Sequence, residues 1–291
     1  MPAPNGVTQY EVINIGHIKT YLKDLEISGS NVIWFEQSQL SLLDSMSEIA
    51  SSGDYYLASI DGNCRSLDLT KVSVAVNSNL LLFYDMNDNC QDLSSNVFDG
   101  VFNGSYAPGI DGLGNAATFN GVDQYIEFPN DLALKPDFPM SFSYWIKFDD
   151  LNVNNAVVFT TDYVENSHTG VWMTLSSVGE LSVNIGNGTG TTSVSRKTFI
   201  VNTPININTW YHVGAVLESI DSFKIYMNGI LQDGNYAGSA SSLVYTEFPG
   251  SIGRKDGSTL ADPYYFKGQL DDFSYWGRVL SETEINKLMG N

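Results

Sequence analysis

Turn-forming dipeptides punctuate this chain at close intervals and leave room between them for little except strands. They include Asp61-Gly62, Asp99-Gly100, Asn103-Gly104, Asp111-Gly112, Asn120-Gly121, Asn228-Gly229, Asp233-Gly234 and Asp256-Gly257. Asn-Gly and Asp-Gly supply the positive φ values that tight hairpins need. The segments between them are short, alternate in polarity and are rich in Val, Ile, Tyr, Phe and Thr, which predicts an all-β protein. One helix is expected, at the end of the chain. There Ser281-Glu282-Thr283-Glu284 forms a capping box, Leu280 and Ile285 are spaced as a hydrophobic staple, and Gly290 is placed as a stop.

Asn77-Ser78-Asn79 separates two strand-like runs, 71–76 and Leu80–Tyr84, and marks a boundary. The chain divides there into an arm at 1–17, a small module at 18–78 and a larger sandwich at 79–291. In the module, runs at 31–35, 53–60 and 72–76 read as strands, with Trp34 as the core plug.

Charge narrows the function. Fourteen Lys and Arg against thirty-three Asp and Glu give a formal charge of −19. Nucleic acid is a poor partner, because phosphate binding needs clustered cations. No apolar run approaches the length of about 18 residues that a membrane helix needs, so no membrane insertion is expected. Solubility, a divalent cation or a neutral glycan all suit such a surface. The opening Met1-Pro2-Ala3-Pro4-Asn5-Gly6 has neither the basic nor the apolar region of a signal peptide. Two cysteines, Cys64 and Cys90, are too few for a disulfide framework or a zinc cluster. They either bridge the two parts or stay as thiols.

Two resemblances follow from motifs. In the module, Ser28-Gly29-Ser30-Asn31-Val32-Ile33-Trp34-Phe35, Gly53-Asp54-Tyr55-Tyr56 and Asp61-Gly62-Asn63-Cys64 resemble, in order and spacing, the immunoglobulin-like repeats of Bacteroidetes surface proteins. That resemblance implies a small sandwich acting as a spacer. The repeats often pair the turn cysteine with one near the first strand. Ile15-Gly16-His17 offers none, which leaves Cys90 as the candidate partner.

The larger part is similar to laminin G-like, concanavalin A-like domains over its whole length. Phe119-Asn120-Gly121-Val122-Asp123-Gln124-Tyr125-Ile126 and Phe142-Ser143-Tyr144-Trp145-Ile146-Lys147 carry the resemblance, with Asn208-Thr209-Trp210-Tyr211-His212-Val213 and Lys224-Ile225-Tyr226-Met227-Asn228-Gly229. Ser251-Ile252-Gly253-Arg254 and Gly268-Gln269-Leu270-Asp271-Asp272-Phe273, followed by Arg278-Val279-Leu280-Ser281, complete it. It implies a jelly-roll sandwich with the short helix packed on it. Trp145 and Ile146 occupy adjacent strand positions, so only one of them faces the core. Trp210 and Tyr226 are expected between the sheets, and His212, on a core strand, as a packed, hydrogen-bonded histidine.

Such folds also host glycoside hydrolases, which need two carboxylates set across a cleft about 5–5.5 Å apart for retention. No Glu-x-Asp-x-x-Glu run exists. Glu127, Glu165, Glu180 and Glu218 stand apart, and the adjacent Asp149-Asp150 and Asp271-Asp272 point to opposite faces. There is no Gly-x-Ser-x-Gly elbow and no phosphate loop. The expectation is a protein that is not an enzyme.

The laminin G-like resemblance implies calcium held by Asp92, Asn96 and Asp271, since the ion takes six to eight hard oxygens. Ser95 stands where the family usually has glycine. The other reading has Asp92 capping a turn and Asp271 hydrogen-bonded to backbone. Sugar contacts combine aromatic platforms with polar side chains. Tyr163, His168, Trp172, Tyr264 and Tyr265 are the loop candidates, each with plain packing as its alternative. The function expected is carbohydrate-binding adhesion, with a cell-surface glycan and other subunits of a surface assembly as partners. The alternative is a structural decoration, fibre or baseplate protein with no glycan binding of its own. The expected location is the surface of a virion or phage-tail-like particle, with a secreted, cell-surface-attached protein as the other choice.

Overall fold

In the computed structural model the described residues are 7–27, 31–36, 41–62, 64–66, 68–112, 114–151, 156–162, 164, 166–255 and 264–290. The chain divides at Ser78 and Asn79 into two compact units.

The first unit carries β1 (Gln9–Val12), β2 (Val32–Glu36), β3 (Leu42–Leu43), β4 (Gly53–Asp61), β5 (Cys64–Arg65) and β6 (Thr70–Val76). They form a sheet of order β1-β6-β4-β2-β3, with β5 as a hairpin on β4. β1 runs parallel to β6, and the β6-β4-β2-β3 pairings are antiparallel. Alternate residues Trp34, Leu57, Val72 and Val74 face one side, where Leu22, Leu25 and Ile49 from irregular segments complete a core. Among the described residues that second layer has isolated bridges, Tyr21 to Glu48 for one, in place of a second ladder. On the opposite face Phe35 is buried, with the Arg65 guanidinium 5.1 Å from its ring centroid.

The second unit opens with β7 (Leu80–Tyr84), β8 (Val101–Phe102), β9 (Ser105–Pro108), β10 (Asn115–Asn120), β11 (Ile126–Glu127) and β12 (Met140–Phe148). It continues with β13 (Ala156–Thr160), β14 (Val171–Leu175), β15 (Leu181–Gly186), β16 (Arg196–Val201) and β17 (Trp210–Ser219). It closes with β18 (Ser222–Met227), β19 (Ile230–Leu231), β20 (Gly234–Gly238), β21 (Ser251–Ile252), β22 (Lys267–Trp276) and helix α1 (Glu282–Leu288). Among the described residues these strands build two eight-stranded sheets. One has the order β19-β18-β17-β12-β22-β10-β9, with β7 also on β22; the other runs β20-β16-β15-β14-β13-β21-β11-β8.

Aromatic residues lock the sheets face to face. Phe142 of β12 lies 4.4 Å from Phe159 of β13 and 4.3 Å from Tyr275 of β22, centroid to centroid. Asn228 and Gly229 both have positive φ, 50° and 76°, as the two-residue hairpin between β18 and β19 requires.

Two expectations about the interior need correcting. Val213, Ala215 and Leu217 belong to the interior cluster, so alternation turns Trp210 and His212 to the outside of their sheet. Likewise Phe223, Ile225 and Met227 point inward, and Tyr226 points out, paired across from Gly214. Helix α1 covers that outer face. A Cβ built on Gly214 would meet Ile285 at 3.1 Å, so glycine there lets the helix seat closely. His212 is buried on the same outer face, where its Nε2 and Ser143 Oγ are 2.9 Å apart and Trp145 packs edge-on against its ring.

The helix start is held by the expected box. Ser281 Oγ accepts from Glu284 N, and Glu284 Oε2 accepts from Ser281 N at 2.8 Å. Ser281→Ala should lower unfolding stability by about 1 kcal/mol, read from the urea midpoint at constant m. An unchanged midpoint would show that Arg278, which donates to Glu284 Oε1 at 2.6 Å, fixes the helix without the cap.

Candidate functional site

The outer face of the second sheet is built by alternation. Val171, Met173, Leu175, Leu181, Val183, Ile185, Phe199 and Val201 all face the interior cluster. The residues between them therefore face away. Register then lays them out as a grid. Trp172, Asn184 and Thr198 form one row across β14, β15 and β16; Thr174, Ser182 and Ile200 form the next; Gly186 and Arg196 begin a third.

Hydrogen bonds stitch the grid together. Thr198 Oγ1 donates to Asn184 Oδ1 at 2.7 Å. Asn184 Nδ2 donates to the Trp172 carbonyl at 3.3 Å and to Ser182 Oγ at 3.4 Å, and Thr174 and Ser182 share a 2.7 Å hydroxyl contact. These side chains are buried although they face away from the interior, Asn184 at 4% and Trp172 at 6% exposure. Paired in this way they carry little penalty for leaving water.

A cationic group borders the grid. His168 stacks on Trp172 with centroids 5.1 Å apart and planes 21° from parallel. Its Nε2 lies 3.1 Å from the Thr191 carbonyl, which can only accept, so Nε2 carries the hydrogen. Burial, reinforced by Lys255 and Arg196, pushes the imidazole down to about 4. Burial and then the Arg196 charge hold the Lys255 ammonium below the ordinary lysine value. Lys255 Nζ lies 5.4 Å from the centroid of the Tyr264 ring. Two cations thus lie close together in a chain of charge −19.

Of the five sugar-contact candidates, the structure joins three. His168 and Trp172 form the buried stack, and Tyr264 is half-buried under Lys255. The stack covers one face of the indole, so Trp172 is the floor of this region and not an open platform. Tyr265 is half-buried and, among the described residues, makes no ring contact with the stack, and Tyr163 lies outside the described residues. Arg196, Lys255 and Asn184 escaped the sequence reading. Their signal was an Arg-Lys-Thr-Phe strand start and an Arg254-Lys255 pair in an acidic chain, and neither indicates a neighbour.

The proposed metal ligands serve two separate networks. Asp92 Oδ1 accepts from Phe83 N and Ser94 N, both at 2.9 Å, and Oδ2 accepts from Phe98 N at 2.8 Å and Ser94 Oγ at 2.7 Å. Asn96 turns its amide nitrogen to the carbonyls of Leu80 and Leu81. Asp271 is buried in β22 beneath Gly109 and Ile110, and a Cβ on Gly109 would sit 2.4 Å from its Oδ2. Burial first, then the charges of Asp272 and Asp85, push its carboxyl up to about 8. Among the described residues no group of three His, Cys, Asp or Glu side chains gathers to hold an ion. The trio as placed does not fit calcium. The cysteines are both free thiols, Cys64 exposed and Cys90 buried beside Met86 and Tyr106.

No curated protein matches the sequence. Solved structures with the same fold do. Domain 4 of AbnA, a GH43 extracellular arabinanase from Geobacillus stearothermophilus in complex with arabinotriose, aligns with a TM-score of 0.53 and 21% identity over 72% of this chain and 98% of that one. The binding domain of Paraclostridial Mosquitocidal Protein 1 aligns at 0.53 and 20%, covering 73% of this chain and 52% of that one. A botulinum neurotoxin type C structure, described as depending on two ganglioside molecules for cell entry, aligns at 0.55 and 16%, covering 74% and 51%. The chain thus spans about half of each toxin structure. At these identities the likeness establishes fold. A family profile described as the concanavalin A-like lectin/glucanases superfamily matches residues 120–286, more than half of the sequence, and the chain belongs to that family.

Proposed function

We propose that this protein is a non-enzymatic carbohydrate-binding adhesion protein whose second unit contacts a surface glycan. The hydrogen-bonded grid on the outer face of the second sheet carries the reading. The grid is buried and internally paired and serves as a fixed floor, while half-buried Arg196 at its edge and Tyr264 under Lys255 supply polar and aromatic groups, the mixture that sugar sites use. The described outward residues of β14, β15 and β16 include no carboxylate, which supports binding without hydrolysis. One fold neighbour solved in complex with arabinotriose and another named as a binding domain support it further. The first unit acts as a spacer. Its β6-β4-β2 order follows the sequential antiparallel pairing of one sheet of an immunoglobulin-like sandwich, which supports the resemblance seen in its motifs.

A glycan array probed with the full chain, with and without EDTA, tests this. A defined subset of glycans should be retained in both conditions. Tyr264→Ala should weaken retention about tenfold, as loss of one aromatic contact worth about 1.4 kcal/mol implies. An array silent to the wild-type chain would sink the proposal, and unaltered retention by the Tyr264 variant would move the site off this face.

A further inference from the structure

Arg196 is a half-buried cation at the edge of the grid. It opens β16 opposite Gly186, and alternation turns it to the same outer face as Thr198. It is half-buried, and among the described residues no carboxylate or carbonyl accepts from its guanidinium. Its charge acts on Lys255, and both cations act on His168. The backbone brings them together: a Cβ on Gly186 would lie 2.1 Å from the His168 carbonyl carbon, so glycine there lets the His168 segment lie against β15. Several other cations are matched to acids, Arg254 with Glu127, Lys267 with Asp150 and Arg278 with Glu284, while Arg65 and Lys147 lie over aromatic rings. With 33 acidic residues in the sequence, the Arg196 guanidinium takes neither arrangement among the described residues, and its charge lies near that of Lys255. Like charges set together cost stability, and such departures from local consistency collect at functional sites.

The polar groups present suit a sugar that carries an acid. Guanidinium is the side chain best shaped to receive a carboxylate or sulfate through two parallel hydrogen bonds. Tyr264 lies under Lys255, and the grid holds β16 in register. We infer that the ligand of this face is an acidic glycan, whose carboxylate or sulfate seats on the Arg196 guanidinium with Lys255 adding charge. This rests on the glycan-binding reading above and narrows it to one chemical class.

The test uses the intact chain and matched probes: 3′-sialyllactose against lactose, with oligogalacturonate and chondroitin sulfate to separate carboxylated from sulfated sugars. At about 50 mM salt an acidic probe should bind at least about tenfold tighter than its neutral counterpart, with the margin narrowing as salt is raised. Arg196→Gln should bring the acidic probe down to the level of the neutral one. Arg196→Lys, which keeps charge without the fork, should restore part of the margin. Melting temperatures of both variants should stay at or above that of the parent, since a repulsive neighbour of Lys255 is removed or kept. Equal binding of acidic and neutral probes would overturn this inference and leave glycan binding standing. Silence from every probe would overturn both.

Discussion

Replacing Lys135 with methionine should cost about 3–5 kcal/mol of stability, the range for removing one partner of a buried ion pair. Its side chain is 4% exposed, and Asp162, 4.0 Å away, is fully buried. The ammonium spends its three protons on Asn130 Oδ1 at 2.6 Å, the Thr246 carbonyl at 2.6 Å and the Phe248 carbonyl at 3.0 Å. Asp162 in turn accepts from Thr246 N and Thr246 Oγ1. The pair therefore ties the segment around Thr246, between β20 and β21, to the turn before β12 and to the end of β13. Methionine fills much of the volume but leaves two carbonyls without this donor and a carboxylate without its counter-charge. Urea unfolding at neutral pH measures the loss. A change below about 1 kcal/mol would mean that water reaches the pair and screens it as it does at a surface.

Asp271→Asn should stabilise the protein at alkaline pH by about 2–4 kcal/mol and change it little near pH 4. The sign follows from proton counting. The folded carboxyl is pushed up to about 8, whereas the unfolded one ionises near the ordinary value of about 3.9. Between those values the native state keeps a proton that the unfolded chain releases. Stability from this group is complete below about pH 4, falls as pH rises, and is lost above about pH 8. Asparagine removes the ionisation and with it the loss, while its oxygen can still accept from Ile110 N. Urea titrations near pH 4.5 and pH 9, in chelator so that no divalent ion replaces the proton, read the difference. An asparagine variant weaker than its parent at the higher pH would show that the carboxylate is wanted in its charged form.

The strand pattern and the closing helix were legible because both are local. Leu80–Tyr84 was bounded by its own apolar run, and the box at Ser281 announces a helix whatever lies around it. Trp145 and Ile146 could be assigned opposite faces from adjacency alone, but Trp210 and Tyr226 were placed on the wrong side. Alternation fixes relative facing within a strand; which side is interior depends on the opposing sheet and on where α1 settles. The same gap hid the grid. Ser182, Asn184 and Thr198 read as ordinary polar strand residues, and only the β14-β15-β16 register turns them into neighbours. Arg196 and Lys255 lie 59 positions apart in sequence, so nothing local ties one to the other. Asp92 and Asn96 were visible as a motif, but a turn tied to backbone and an ion-binding loop draw on the same residue types.

The amide of Asn184 gives its row a direction. It receives a proton from Thr198 on one side and gives protons toward Trp172 and Ser182 on the other, so the dipoles along β16, β15 and β14 point the same way. Rotating that amide half a turn would set donor against donor at Thr198 unless the hydroxyls reoriented with it. It would also set the amide oxygen against the Trp172 carbonyl, which can only accept, so the lattice is one polarised unit with a single consistent setting, anchored at its β14 end by main chain.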